Sequence, residues 1–551
     1  MNKLITASSL DKVFPNSKPS LLQNEYSIFK NEVFHFQVCC RPDYPLFNCR
    51  IGVESPIADY ITVRRVEPMP AHLATKRGEC DNYIIKKKDE STLYPDLLRD
   101  MRQEGEILRQ SLWTSFWITV NKDGQELTPG VYDITIKLYQ DRTNLYASCD
   151  FKLTVLDASL PKSDLKYTAW IHYDCIAYQH SVEMFSPEYY QIFNEYLKSA
   201  LRHGMTMLYT PLFTPPLDTE VGHERQIAQL VEVTCQDGGY SFNFDKLAYF
   251  IDNARKLGVQ QFEFSHLATQ WGGYKCPKII AQKDGKPEKI FGWHTESSSP
   301  EYLSFLDSFL GALVEFVDKM GIQDMVYFHI SDEPGNDQLE QFRKIKSVLI
   351  KHFENARIMD ALSHGAYYYE NIINTPVVST DCVDNFKFRE GTERWVYYCG
   401  WQRQNYLSNR FFNMPSQRNR ILGMQLYLNG IKGFLHWGFN FYNSVFSKHA
   451  INPYFITDAD GNFESGDSFI VYPKAGGVYE SLRHEVFYDG LNDYRALKLL
   501  ESFWGRERVI KLLKKQGMKG FTRYKRCAKW HLKFRQKINQ AVMKELQAKN
   551  S

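Results

Sequence analysis

At 551 residues the chain is too long for one ordinary domain and suits two or three. Charged residues make up 24% and the net charge is only +3, which excludes both a disordered chain and one built around a polyanionic partner. The eleven cysteines show no CxxC spacing, so neither a zinc framework nor a disulfide ladder is expected. The N-terminus has no apolar signal core and no run of eighteen apolar residues occurs after it, so a cytoplasmic protein is expected, without membrane or nucleic-acid partners.

Residues 1–160 read as all-β. Phe34–Cys40, Ile61–Val66, Ser115–Val120, Val131–Tyr139 and Phe151–Leu156 are short β-branched and aromatic runs, separated by turns such as Asn121–Gly124 and Pro129–Gly130. This pattern predicts a β-sandwich, and Asp157–Asp164 reads as a linker. From about 165 strands alternate with long helices. The strand candidates are Tyr167–His172, Met205–Tyr209, Gln261–Ser265, Met325–Ile330, Ile358–Ala361, Val377–Thr380, Arg394–Tyr398 and Gly433–Trp437. Eight strands in this length predict a (β/α)8 barrel over 165–475. Residues 476–551 read as a helical extension. Its Lys- and Arg-rich end reads as a solvated helical face.

The informative stretch is Met325–Pro334, MVYFHISDEP. A buried strand ends abruptly in Ser331, Asp332, Glu333 and Pro334, between amphipathic helices on either side. In a barrel, chemistry sits at the C-terminal ends of strands, and two acids there suit a glycosidase. The same residues also read as an ordinary helix start, with a polar cap, a proline in the first turn and acids near the positive end of the dipole.

The residues just beyond the other strands favour chemistry. His172 comes after the first, Tyr209 after the second, and His266 and Trp271 after the third. Tyr397, Tyr398 and Trp401 mark the end of the seventh, and Trp437 and Asn440 the end of the eighth. If the barrel forms, these side chains gather around Asp332 and Glu333 as an aromatic-walled sugar site. Nothing in the sequence calls for a metal or a cofactor.

The segments GGYSFNFDKLAYFIDNARKLG (238–258), FEFSHLATQWG (262–272), FGWHTE (291–296), FHISDEPG (328–335), YYCGWQ (397–402) and GFLHWGFNF (433–441) resemble bacterial proteins of the glycoside hydrolase family 123 type. The ending SGDSFIVYP…SLRHEVFYDGLNDYRAL (465–497) does too. The resemblance implies a retaining exo-β-N-acetylgalactosaminidase acting on glycans with a terminal β-linked N-acetylhexosamine. It further implies that Glu333 is the general acid and base, with a raised pKa. Asp332 would stay ionised and polarise the 2-acetamido group, whose carbonyl oxygen attacks the anomeric carbon. Tyr397 or Tyr398 would meet that carbonyl, Trp401 and Trp437 would stack on the ring, and Asn440 and His172 would read hydroxyls. The alternatives are a glycosidase for another sugar, drawing a nucleophile from Asp174, Asp381 or Asp384, and a non-catalytic sugar-binding protein.

Overall fold

The computed structural model describes residues 4–71, 80–85, 92–270, 273–335 and 338–550. The described residues between 4 and 156 form a β-rich region of two five-stranded sheets. One holds, in spatial order, Leu4–Ser8, Phe34–Cys40, Thr114–Val120, Ile61–Ala71 and Thr92–Asp100. The other holds Glu25–Phe29, Asn144–Leu156, Gly130–Gln140, Leu46–Glu54 and Glu106–Leu108. Each of the five predicted runs falls inside one of these strands. The period-two pattern decides which side chains go inward: Ile134, Ile136 and Leu138 are buried, while Thr135 and Lys137 between them are only half-buried. The buried three meet Phe36, Val38 and Ile118 of the first sheet in one shared core. Thr114–Val120 is buried along its whole length because both faces are covered, Phe116 and Ile118 by the second sheet and Trp117 by Leu482 and Val486.

Eight short parallel strands come next: β1 (Lys166–Ala169), β2 (Met207–Thr210), β3 (Gln261–Phe264), β4 (Val326–Phe328), β5 (Met359–Leu362), β6 (Thr375–Ser379), β7 (Trp395–Tyr397) and β8 (Gly433–His436). Each overlaps a predicted strand. They lie in the order β4-β3-β2-β1-β8-β7-β6-β5, and a parallel bridge from Phe328 to Ile358 joins the two ends, so the barrel is nearly closed. Almost all their residues are buried, as strands wrapped by helices should be. Helix Pro300–Met320 shows the local logic. The Ser299 side chain accepts from the Tyr302 N–H, Pro300 opens the first turn, Leu306, Phe309, Leu310 and Leu313 are buried, and Gly321 ends it at φ 62°. Between β5 and β7 the connections shrink to single turns at Ala366–Tyr369 and Val383–Asn385.

Two features depart from the sequence reading. Glu232–Gln236, Gly239–Asn243, Ile279–Lys283 and Lys286–Phe291 make an extra four-stranded sheet beside the barrel. Their side chains are largely exposed, so they lack the apolar runs that mark the buried strands. The expectation that everything from 476 on is helical is also corrected, because Gly477–Glu480 pairs with Val471–Lys474 as a hairpin. Helices Leu482–Trp504, Arg506–Lys515 and Ala528–Asn550 then complete the chain. The first crosses helix Leu422–Asn429 so closely that a Cβ on Gly423 would stand 1.7 Å from the Gly490 carbonyl oxygen. Among the described residues, no helix is long and apolar enough to cross a membrane.

Candidate active site

The chain beyond β4 carries the two acids. It stays extended past the strand because Leu267 N–H donates to the His329 carbonyl (3.1 Å) and Ala268 N–H to the Ile330 carbonyl (2.8 Å). Ser331 Oγ donates to the Thr269 carbonyl at 2.9 Å. Asp332 and Glu333 are thereby held up at the C-terminal mouth of the barrel. The next helix begins only at Leu339, with Gln338 as its N-cap, so the acids do not cap it. Glu333 has φ 47°, a left-handed conformation that disfavours any residue but glycine. A non-glycine residue held there marks a position that the surrounding structure fixes.

Both acids line a cavity of about 410 Å³. Trp170, Ala361 and Leu435 lie at strand ends, Tyr397 ends β7, Gly400, Trp401 and Arg403 come from the chain after it, and Trp437 lies just past β8. Asn462, Phe463, Glu464 and Asp467 belong to the Gly-rich passage beyond β8. Asp218 and Phe446 complete another wall, both at positive φ (42° and 60°), and are tied together where Phe446 N–H donates to Asp218 Oδ2 at 3.1 Å.

The electrostatics favour protonated acids. Burial pushes the Asp332 carboxyl well above the usual carboxylate range, and the negative charges of Glu333, Glu263 and Asp218 push it further. Burial also raises Glu333, while the Tyr397 hydroxyl, donating to Glu333 Oε1 at 2.9 Å, pulls it back down. A third acid lies below: Asp360 on β5 is fully buried and raised well above its ordinary value by burial and by Asp332. Burial raises Asp218 to about 6 and Asp467 to about 7, against the pull of Arg225 and Arg410 respectively. This cluster differs from the expected division of labour, in which Glu333 rises and Asp332 stays ionised.

The structure gathers Tyr397, Trp401 and Trp437 with the two acids in the cavity. Trp401 stands at the rim, 72% exposed, with the Arg403 guanidinium 5.2 Å from its ring centre. Other predicted contacts sit behind the wall. Tyr398 is buried against Phe434 and His436. The Tyr209 hydroxyl pairs with His266 Nδ1 at 2.8 Å, in a buried group with Trp170 and His329. His172 and Asn440 are buried, the Asn440 side chain accepting from the His172 backbone N–H and donating to its carbonyl, while His172 Nε2 faces the Trp437 carbonyl at 2.9 Å. Burial, and then Arg225, lowers His172 to about 3, so its ring is neutral. Trp271 lies outside the described residues. Asp174 is spent on Arg225 (2.8 Å) and does not line the cavity; neither do Asp381 and Asp384. The cavity-lining carboxylates that sequence reasoning missed are Asp218, Glu464 and Asp467. None of them stands at a strand end.

Comparison with known proteins gives a family and a fold. The family model described as glycoside hydrolase 123, catalytic domain, matches residues 170–500. Among solved structures, a family 123 glycoside hydrolase from Clostridium perfringens, described for glycolipid glycan hydrolysis, superposes with a TM-score of 0.74 at 15% identity. That match covers 99% of this chain and 98% of that one, and the likeness is one of fold. An endo-β-1,4-mannanase from Thermotoga petrophila is far more remote, with a TM-score of 0.34 at 12% identity over 60% of this chain and 76% of that one. No curated protein matches in sequence.

Proposed function

The chain belongs to glycoside hydrolase family 123, and from this premise we propose that it is a retaining exo-β-N-acetylgalactosaminidase whose substrate supplies its own nucleophile. The observation that carries the reading is the adjacent Asp332–Glu333 pair at the end of β4, lining one sugar-sized cavity with Tyr397 on Glu333. Neighbouring acids can bracket one substituent and one leaving group from the same side, whereas an enzymic nucleophile and its acid stand about 5 Å apart across the sugar. Glu333, raised by burial, would protonate the leaving oxygen and later take a proton from water. An acetamido N–H donating to Asp332 would favour its charged form, and so restore the division of roles that crowding opposes in the free cleft.

Of the two tyrosines considered for the acetamido carbonyl, Tyr397 is the one in the cavity. Trp437 would floor the ring, and Trp401 at the rim would meet the aglycone side. In this reading the two N-terminal sheets are a β-sandwich, the barrel is of the (β/α)8 kind, and 1–160, 165–475 and 476–551 are the working domains. Hydrolysis of nitrophenyl β-glycosides of GalNAc, GlcNAc, galactose and glucose tests it. Cleavage confined to the acetamido sugars, GalNAc above GlcNAc, is the expected result. Fast cleavage of the galactoside would refute it and favour a second reading, in which one of the cavity acids Glu464 or Asp467 attacks directly.

A further inference from the structure

The acids of the passage beyond β8 converge on one point of the cavity wall. A Cβ placed on Gly400 would stand 3.1 Å from Asp467 Oδ2 and 3.2 Å from Glu464 Oε2, so both carboxylates point at the bare backbone of that glycine. Each is held from behind. Arg403 Nη1 donates to Glu464 Oε1 at 2.5 Å, and also to the Gly400 carbonyl at 3.1 Å. Asp467 N–H donates to the Glu464 carbonyl at 3.0 Å, and Arg410 Nη2 to the Asp467 carbonyl at 2.8 Å. Phe441 N–H donates to the Ser468 carbonyl at 3.1 Å, which fastens the passage to the exit of β8.

One oxygen is left over. Asp467 is 1% exposed and lines the cavity; Trp437 and the Gly400 backbone bond its carboxyl, yet its Oδ1 has no hydrogen-bond partner among the described residues. The nearest cationic candidate, His436 Nε2, is 3.6 Å away, too far for a hydrogen bond. His436 cannot close that gap by charging, because burial, and then Arg410 and Arg483, hold its pKa well below 6.5. A buried carboxylate oxygen without a partner costs stability, so it is a position that a ligand donor would satisfy.

We propose that Asp467, with Glu464 beside it, reads hydroxyls of the substrate's non-reducing terminal sugar and confines the enzyme to sugars unsubstituted there. The inference rests on the glycosidase reading above and adds the specificity element to it. A carboxylate accepts from a sugar hydroxyl well and from an ether or ester oxygen not at all, and it repels a sulfate. With its carboxyl held up at about 7, Asp467 accepts from a hydroxyl above that pH and donates to one below.

The test couples variant and substrate. Asp467→Asn and Glu464→Gln are assayed against nitrophenyl β-GalNAc and its 3-, 4- and 6-deoxy counterparts, with melting curves to confirm folding. Wild type should lose about 10²-fold in kcat/KM on at least one deoxy sugar, the range for a hydrogen bond to a charged group. Asp467→Asn should lose similarly on the parent sugar but less than about threefold further on that deoxy sugar. An equal loss from Asp467→Asn on every sugar would mean that the residue reads none of these hydroxyls and would overturn the inference. So would a wild type indifferent to all three deoxy sugars. If another glycoside of the panel proves to be the substrate, the same series on that sugar decides the point, and the GalNAc reading falls alone. If no glycoside is cleaved, the coupling is read from melting-temperature shifts with the free sugars, and a wild type that none of them shifts overturns the inference.

Discussion

Tyr397, at the end of β7, donates its hydroxyl to Oε1 of Glu333, beyond the end of β4, at 2.9 Å. The bond spans the barrel mouth and favours the charged form of the acid, working against the burial that raises it. Tyr397→Phe removes that donor along with the hydroxyl proposed to meet the acetamido carbonyl, so the position of the pH limb, not the rate, reads its effect on Glu333. Glu333 should then hold its proton to higher pH, and the basic limb of kcat/KM against pH should move up by about one pH unit. A basic limb that stays in place, or moves down, would take Glu333 out of the acid role.

The two acids should separate by leaving group. Glu333→Gln should lose about 10²-fold or more on an alkyl or sugar aglycone, and much less on a nitrophenyl aglycone that needs no proton. Asp332→Asn should lose at least about 10²-fold on both, because the acetamido group is then no longer polarised. Equal losses from Glu333→Gln on activated and natural substrates would contradict the assignment.

The left-handed backbone at Glu333 makes a prediction about stability that catalysis does not. Glu333→Gly and Glu333→Ala both remove the carboxyl, but only glycine relieves φ 47°, which costs other residues about 1–2 kcal/mol. Glu333→Gly should melt above Glu333→Ala, by about 1–2 °C in a protein of this size. The reverse order would mean that the conformation carries no strain.

A buried ion network joins the β-rich region to helix Leu482–Trp504. His35 faces Asp489 at 2.7 Å and Glu485 at 3.0 Å. Burial alone would lower this histidine, but the Asp489 and Glu485 carboxylates override it and hold it up at about 9. A folded-state pKa raised above the unfolded 6.5 stabilises fully below pH 6.5, and that stability is lost as pH rises through 9. The melting-temperature gap between wild type and His35→Gln should therefore be widest near pH 6 and narrow by about pH 9.5. A gap that is constant with pH would mean that His35 is neutral in the folded protein.

The barrel and its acids were legible because helix caps, strand lengths and the DEP stop each leave a local mark. The amphipathic helix read before the acids is there in space, with Leu306, Phe309, Leu310 and Leu313 buried and Gly321 at its end. The same physics explains the parts that were not legible. The barrel strands are buried on both faces, so alternation cannot say which side chains face the cavity. Tyr209 and His266 therefore looked like site residues yet pair behind the wall, while Trp170, one position past β1, was passed over although it lines the cavity. Glu464 and Asp467 sit in a passage with no periodicity at all. Only the fold brings it against Gly400.

The central claim is that the acetamido oxygen, not a protein carboxylate, attacks the sugar. It is tested most directly with N-acetylgalactosamine thiazoline, a stable mimic of the cyclic oxazolinium ion. Competitive inhibition at least about 10²-fold tighter than by N-acetylgalactosamine itself, and lost in Asp332→Asn, is the expected result. An enzyme that turns over normally in saturating thiazoline would contradict it.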